Sequence, residues 1–174
     1  MATEFLNPQQ IMSRLKLKRE MSAADFGSGA GGWVLLLAKK LEDGIVYAID
    51  ILEEPLSALR GRMQLEKIRN IRIIRSNVEN KKGSTLPDAS VDLVLMTNLL
   101  FQCENKKNVL EEGKRVLKQG GKILVVDWIE DNPLTKEIEY VSFEEIKKTG
   151  KELGLKLEKE FEAGAFHKGL IFDK

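Results

Sequence analysis

The sequence is poor in the residues that build covalent or metal-centred frameworks. Cys103 is its one cysteine, so no intramolecular disulfide and no multi-cysteine metal site can form, and the thiol content fits a reducing compartment. His167 is its one histidine. No apolar run approaches the roughly 20 residues that span a bilayer, and the first residues lack the apolar stretch of a signal peptide, so a cytoplasmic protein is expected. Charge of one sign is not in excess either. With 28 basic and 27 acidic side chains the formal charge is +1, which gives no overall attraction to nucleic acid or to an anionic membrane. Internal repeats and low-complexity tracts are absent. What remains, 174 residues with 43% hydrophobic side chains, suits one domain with a full core and leaves no room for a second catalytic domain.

Glycine, by contrast, is concentrated in one place. Asp25-Phe26-Gly27-Ser28-Gly29-Ala30-Gly31-Gly32 lies between two apolar segments. Met21 to Ala24 reads as the inner part of a buried strand, and Trp33 to Ala38 as a helix with a broad apolar face. A glycine turn from strand to helix brings main-chain N–H groups and a helix N-terminus close to a ligand. Gly27, Gly29 and Gly32 satisfy the dinucleotide spacing, while Gly27, Gly29 and Gly31 equally satisfy G-x-G-x-G, so the glycines alone do not choose a cofactor. Asp25 pushes the choice. A carboxylate two places before the first glycine suits a cation or an amino group and repels a pyrophosphate. S-adenosylmethionine, which carries an ammonium and a sulfonium, is the better electrostatic match.

Further landmarks follow in order. Ile45 to Asp50 reads as a second strand ending in an acid about 20 residues beyond the turn, where a carboxylate can accept both ribose hydroxyls. A cap or turn role before Pro55 is the alternative. A helix from Glu53 to about Arg69 leads to the strand Ile71–Ser76, which ends at Asn77-Val78. The strand Val91–Met96, with Asp92 as a structural acid at its start, runs into Thr97-Asn98-Leu99-Leu100-Phe101-Gln102. An amphipathic helix over Glu104 to Leu117 ends at Gln119-Gly120-Gly121 before the strand Lys122–Val126. Asp127-Trp128-Ile129-Glu130 then stands at a strand's carboxyl end, and Asp131-Asn132-Pro133 breaks regular structure. Ser142 and Glu145 form a capping box for a helix to about Leu153. Leu155–Phe161 and His167–Phe172 read as an antiparallel hairpin. At the front, Asn7-Pro8 can start a helix carrying Ile11, Met12, Leu15 and Leu17, and the cations Arg14, Lys16, Lys18 and Arg19 read as a solvated face.

The glycine turn with Asp25, Asp50 after the second strand, Asn77-Val78 after the third and Leu117 to Lys122 before the fifth together resemble the class I S-adenosylmethionine-dependent methyltransferases. Within that family the chain is similar to small ubiquinone-methyltransferase-like proteins that act on small molecules. The resemblance implies an α/β three-layer sandwich with a mostly parallel seven-stranded sheet, its last strand antiparallel. It implies a single domain over 1–174: a leading helix or lid (1–20), a cofactor core (21–128), and a C-terminal helix with a β-hairpin (129–174). The implied cofactor contacts are Asp25, Gly27, Ser28, Gly29 and Gly31 at the turn, Asp50 on the ribose, and Ile51, Asn77 and Val78 around the adenine. Asn98, with Phe101, would line the pocket between cofactor and substrate. The implied function is methyl transfer to a small-molecule nucleophile. Absence of an Asn/Asp-Pro-Pro-Tyr/Phe signature at Asn98 disfavours amino-group methylation of nucleic-acid bases or protein glutamine. RNA or protein methylation, or a non-catalytic cofactor-fold module that works with a partner, are the alternatives. No metal site is expected. Asp127 is a candidate base or substrate clamp, or else a cap, and His167 is a candidate general base, or else incidental. Cys103 reads as an inert small residue.

Overall fold

Short runs of aliphatic residues closed by polar or glycine turns make the strands, and longer runs with a helical period make the helices. The computed structural model describes residues 6–129 and 140–174; the breaker Asp131-Asn132-Pro133, with Glu130, lies outside them. The strands are β1 (Ala23–Phe26), β2 (Val46–Asp50), β3 (Ile71–Arg75), β4 (Val91–Thr97), β5 (Leu117–Trp128), β6 (Lys156–Glu162) and β7 (His167–Asp173). They join in one seven-stranded sheet of order β3-β2-β1-β4-β5-β7-β6. The first five pair in parallel, whereas β7 runs antiparallel to both β5 and β6. This is the sheet expected from the sequence, with the hairpin in its place.

Helices cover both faces, as a parallel sheet buried on each side requires. On one face α1 (Pro8–Met12), α2 (Val34–Lys40) and α3 (Glu53–Leu65) bring Ile11, Met12, Val34, Leu37 and Leu59 against Ala23, Val46 and Ala48. On the other, α4 (Lys106–Val116) and α5 (Phe143–Glu152) pack Val109, Leu110, Phe143 and Ile146 against Ala24, Phe26, Val94 and Phe172. Caps read from the sequence are made: Ser142 accepts from the Glu145 N–H, and Asn7 from the Gln10 N–H. Several boundaries differ from expectation: β1 covers Ala23–Phe26 where Met21–Ala24 was expected, α4 covers Lys106–Val116 where Glu104–Leu117 was expected, and two more have a local cause. The third helix stops at Leu65, because Lys67 takes a left-handed backbone (φ 55°) that no helix continues. Strand β5 starts at Leu117, since its pairing with β4 steps from Val91–Leu117 to Leu93–Lys122 across a bulge that absorbs Gln119-Gly120-Gly121.

The loop between β3 and β4 is tied down by a buried ion pair. Glu112 on α4 is buried and accepts from the Ser84 N–H at 2.9 Å and from the Ser84 hydroxyl. Arg115 donates to both of its oxygens, at 2.7 and 2.8 Å, and also to the Leu86 carbonyl. Burial works to raise the Glu112 pKa, but the hydrogen bonds from Arg115 and Ser84 together hold it below the usual carboxylate range. Removing one member of such a pair strands the other in a poor solvent. Glu112→Ala is therefore expected to lower the unfolding free energy by about 3 kcal/mol in urea denaturation. A loss below about 1 kcal/mol would show that the pair is surface-like.

Candidate functional site

The order of the sheet reverses at β1, whose neighbours are β2 on one side and β4 on the other. The connections leaving β1 and β4 therefore diverge at their carboxyl ends, the place where open α/β sheets form a crevice. A cleft of about 510 Å³ lies there. Gly27, Ser28, Gly29, Asp50, Ile51, Asn77, Val78 and Asn98 all line it. Trp33, Leu52, Pro55, Ser76, Glu79, Thr97, Gln102 and Cys103 contribute further wall. Asp25, Gly31, Phe101, Asp127 and His167 do not line it, and neither does any described residue of the leading segment up to Glu20. Instead Ile11, Met12 and Leu15 are buried in the core on the α2 face of the sheet.

The glycine turn is not a cradle for an anion. Its Gly27 and Ser28 N–H groups donate to the Ile49 carbonyl, its Gly31 N–H to the Ser28 carbonyl, and its Gly29 N–H to the Asp50 carboxylate at 2.8 Å. The three positive-φ glycines have separate reasons to be glycine. A Cβ at Gly27 would fall 2.8 Å from the Leu99 side chain and one at Gly31 2.5 Å from Leu59, so both are fixed by the protein's own packing. A Cβ at Gly29 would meet nothing within 4 Å and would stand in the open cleft. Expected N–H donors are thus largely consumed inside the protein, and acids surround the turn instead.

Those acids are Asp25 and Asp50. Asp50 ends β2, with one oxygen accepting from Gly29 and the other from the Leu52 N–H at 3.0 Å. Each oxygen retains a lone pair beyond these bonds. Next to it Ile51 and Leu52 are exposed, 54% and 61%, an apolar shelf on the cleft wall. Asp25 lies inside the sheet. Both of its oxygens, and the Ser28 hydroxyl, are buried without a hydrogen-bond partner among the described residues. Burial, with the charge of Asp50 as the second cause, pushes its carboxyl up to about 8.

Around the far wall the polar groups are more fully engaged. Asn77 turns its Oδ1 to the Glu79 N–H at 2.9 Å, the Asx turn weighed from the sequence, and keeps its Nδ2 as a donor. Glu79, which no sequence signal marked, accepts from the Asn105 N–H at 2.7 Å and so joins this wall to the start of α4. Cys103 donates its Sγ–H to the Leu99 carbonyl; burial, then Glu79, pushes its thiol up to about 12, which suits an inert residue.

The two catalytic candidates, Asp127 and His167, are both buried. Asp127 is fully buried and accepts from the N–H groups of Leu100 (2.8 Å), Phe101 (3.3 Å) and Trp128 (2.9 Å). Two of these donors are the first residues of the short 3-10 helix Leu100–Gln102. Burial raises the Asp127 carboxyl to about 6 even against those hydrogen bonds. His167 is buried, packs against Trp128 with ring centroids 3.9 Å apart and the planes tilted by 39°, and places Nε2 2.9 Å from Asn98 Oδ1. Burial lowers its pKa to about 4, leaving it neutral. Neither reaches the cleft directly. Among the described residues no group of three or more acids, cysteines or histidines could hold a metal, and no helix is long and apolar enough to cross a membrane.

Asp25 carries a pH signature. Between its ordinary value of 3.8 and about 8 the folded chain holds a proton that the unfolded chain has released. Stability from this group is complete below pH 4 and is lost as pH rises toward 8. Asp25→Asn removes that slope, so the mutant should gain on the parent in urea denaturation between about pH 5 and pH 8. A difference between the two proteins that stays constant with pH would overturn the assignment.

Comparison with known proteins agrees with this geometry. The family described as "Methyltransferase domain" matches residues 24–125. Ubiquinone/menaquinone biosynthesis C-methyltransferase UbiE of Hydrogenovibrio crunogenus is 32% identical over 130 residues, which are 73% of this chain and 50% of that protein. Demethylmenaquinone methyltransferase of a Geobacillus species is 26% identical over 120 residues, 68% of this chain and 50% of that protein. The chain thus spans about half the length of the curated relatives it matches. Among solved structures, a SAM dependent methyltransferase from Aquifex aeolicus superposes with a TM-score of 0.86 at 26% identity, covering 96% of this chain and 89% of that one. With more than half its length matched, the chain belongs to the methyltransferase-domain family, the class I enzymes whose methyl donor is S-adenosylmethionine, with UbiE-like relatives.

Proposed function

We propose that the chain methylates a small molecule, using S-adenosylmethionine, at a nucleophilic carbon beside an oxygen on a quinol-like ring. The observation that carries the cofactor half is the acidic glycine turn: two acids, one of them buried with both oxygens unpartnered among the described residues, beside a cleft where the N–H groups of Gly27, Ser28, Gly29 and Gly31 are already spent. With Asp25 protonated, Asp50 supplies the charge there. A pyrophosphate would meet its own sign, while an ammonium or sulfonium meets the opposite and would favour ionisation of Asp25 as well. The acceptor half rests on the relatives, whose names specify C-methylation and demethylmenaquinone. A cytoplasmic setting accords with the lone unpaired Cys103.

The bound cofactor supplies a methyl group already activated on a sulfonium, ready for in-line displacement. The chain's residues bind and align. Asp50, held by Gly29 and Leu52, would accept both ribose hydroxyls with its remaining lone pairs; Ile51 and Val78 would sandwich the adenine, with Asn77 donating to its edge. Gly27, Ser28 and Gly29 would lie along the methionine portion, where Gly29 leaves space that any side chain would take. Asp25 acts from behind the turn. A cation in the cleft favours its charged form, so ligand binding would release its proton when pH is below about 8. Alignment, not a strong base, is what this displacement needs. A quinone ring is electron-poor, so the acceptor would be its reduced form, where an oxygen lone pair feeds the neighbouring carbon.

Calorimetric titration with S-adenosylmethionine and S-adenosylhomocysteine should show one saturable site. Asp50→Ala should weaken it at least about tenfold, or 1.4 kcal/mol; a change within about twofold, roughly 0.4 kcal/mol, would sink the ribose assignment. Gly29→Val should fold with a cost of about 1–2 kcal/mol from its left-handed backbone and lose cofactor binding. Dithionite-reduced demethylmenaquinone should accept labelled methyl. Cofactor binding without such transfer would remove the acceptor reading and leave the cofactor reading in place.

A further inference from the structure

Asn98 stands where β4 ends, and nearly every hydrogen-bonding group it owns is already used. Its N–H donates to the Val126 carbonyl at 2.8 Å, and its own carbonyl accepts from the Gln102 side chain at 3.0 Å. Its side-chain Oδ1 faces His167 Nε2 at 2.9 Å. Nδ2 remains, with no partner among the described residues and not sealed in the core, on a residue that lines the cleft. The backbone there is left-handed, φ 49°, a region open to asparagine, aspartate and glycine and costly to most side chains. Neighbouring structure holds the residue there. Leu99, the next residue, packs against Gly27 of the cofactor turn.

The orientation of that amide is set from behind. His167 is buried, clamped against the Trp128 ring, and is the residue opposite Trp128 in the β5–β7 register. Its imidazole is not among the groups lining the cleft and stands one hydrogen bond behind Asn98, which is. With Oδ1 taken by the ring, the amide must turn its NH2 the other way. We propose that His167 is a positioning residue, which through its Nε2–H bond to Oδ1 fixes Asn98 as a hydrogen-bond donor for an oxygen of the methyl acceptor. This rests on the reading of the cleft given above and adds the acceptor's polarity: an enolate, phenolate or carbonyl oxygen is matched, and an ammonium or amide N–H is not. A donor beside that oxygen holds the ring in register while its neighbouring carbon faces the methyl group.

The lone histidine makes the first half directly observable. Long-range 1H–15N spectra of the labelled protein at about pH 7 should show a single neutral imidazole protonated at Nε2; protonation at Nδ1, or a ring that titrates near 6.5, would overturn the positioning role. For the second half, the Asn98 side-chain NH2 resonances, assigned by their loss in Asn98→Asp, are followed in the S-adenosylhomocysteine complex as anaerobic 1,4-dihydroxynaphthalene is added. They should shift in the parent protein and in His167→Gln, which keeps a donor at the Nε2 position, and should not in His167→Leu. No shift in the parent, or equal shifts in all three, would overturn it. In turnover of reduced demethylmenaquinone, His167→Leu should lose about thirtyfold in kcat/KM and His167→Gln about threefold or less, with homocysteine-product affinity unchanged in both. Failure of S-adenosylhomocysteine to bind would instead refute the cofactor reading, and the tautomer result would still decide the positioning role.

Discussion

The interaction on which the rest of the site depends is the one between the Gly29 N–H and the Asp50 carboxylate. It links the end of β2 to the turn that leaves β1, so the two neighbouring strands present one surface to the cleft. It also decides the sign of that surface. In a dinucleotide site the turn's N–H groups point outward and an anion is their partner. Here the outward position is taken by a carboxylate of the protein, and Gly27, Ser28 and Gly31 spend their N–H groups on carbonyls. The same glycine spacing therefore produces a site of opposite polarity, and the acids placed around it, more than the glycines, carry the specificity.

That polarity has a cost located at Asp25. A carboxyl within β1, flanked on both sides by strands and near Asp50, is most easily kept neutral. The unliganded fold thus carries a group whose charged form it disfavours and a cationic ligand would favour. Nearby, the protein compensates with dense apolar packing: Phe26, Ile49 and Met96 around the strand ends are fully buried. The ion pair of Glu112 with Arg115 fixes the loop that follows Asn77-Val78 in the same way, by filling every bond in a buried polar cluster.

Much of this was legible in the sequence, because it is local. A strand, a glycine turn, a helix and an acid at the end of the next strand lie within about 30 residues, and their order alone puts Asp50 beside Gly29. Asn77-Val78 was legible for the same reason. What was not legible is whatever depends on pairing between distant strands. His167 reads as a candidate general base, or else incidental, at the start of the last strand; only the position of β7 between β5 and β6 buries it against Trp128, and only the β4–β5 register brings Asn98 within reach. Asp127 likewise looks like an acid facing a crevice until the chain after β4 folds back to give it the N–H groups of Leu100 and Phe101. Glu79 left no trace because its partner, Asn105, is 26 residues away.

The fate of the candidate bases bears on the chemistry. Asp127 is spent on backbone donors, His167 is neutral and behind Asn98, and the Cys103 thiol is held far above neutrality. Among the described residues, Asp50 and Glu79 are the carboxylates lining the cleft, and neither is left without a main-chain N–H donor. A methyl on a sulfonium needs an acceptor that is electron-rich in its own right and held at the correct angle. The cleft lining brings together the Asn98 amide, the glycine turn with Asp50, and apolar side chains such as Ile51, Leu52 and Val78.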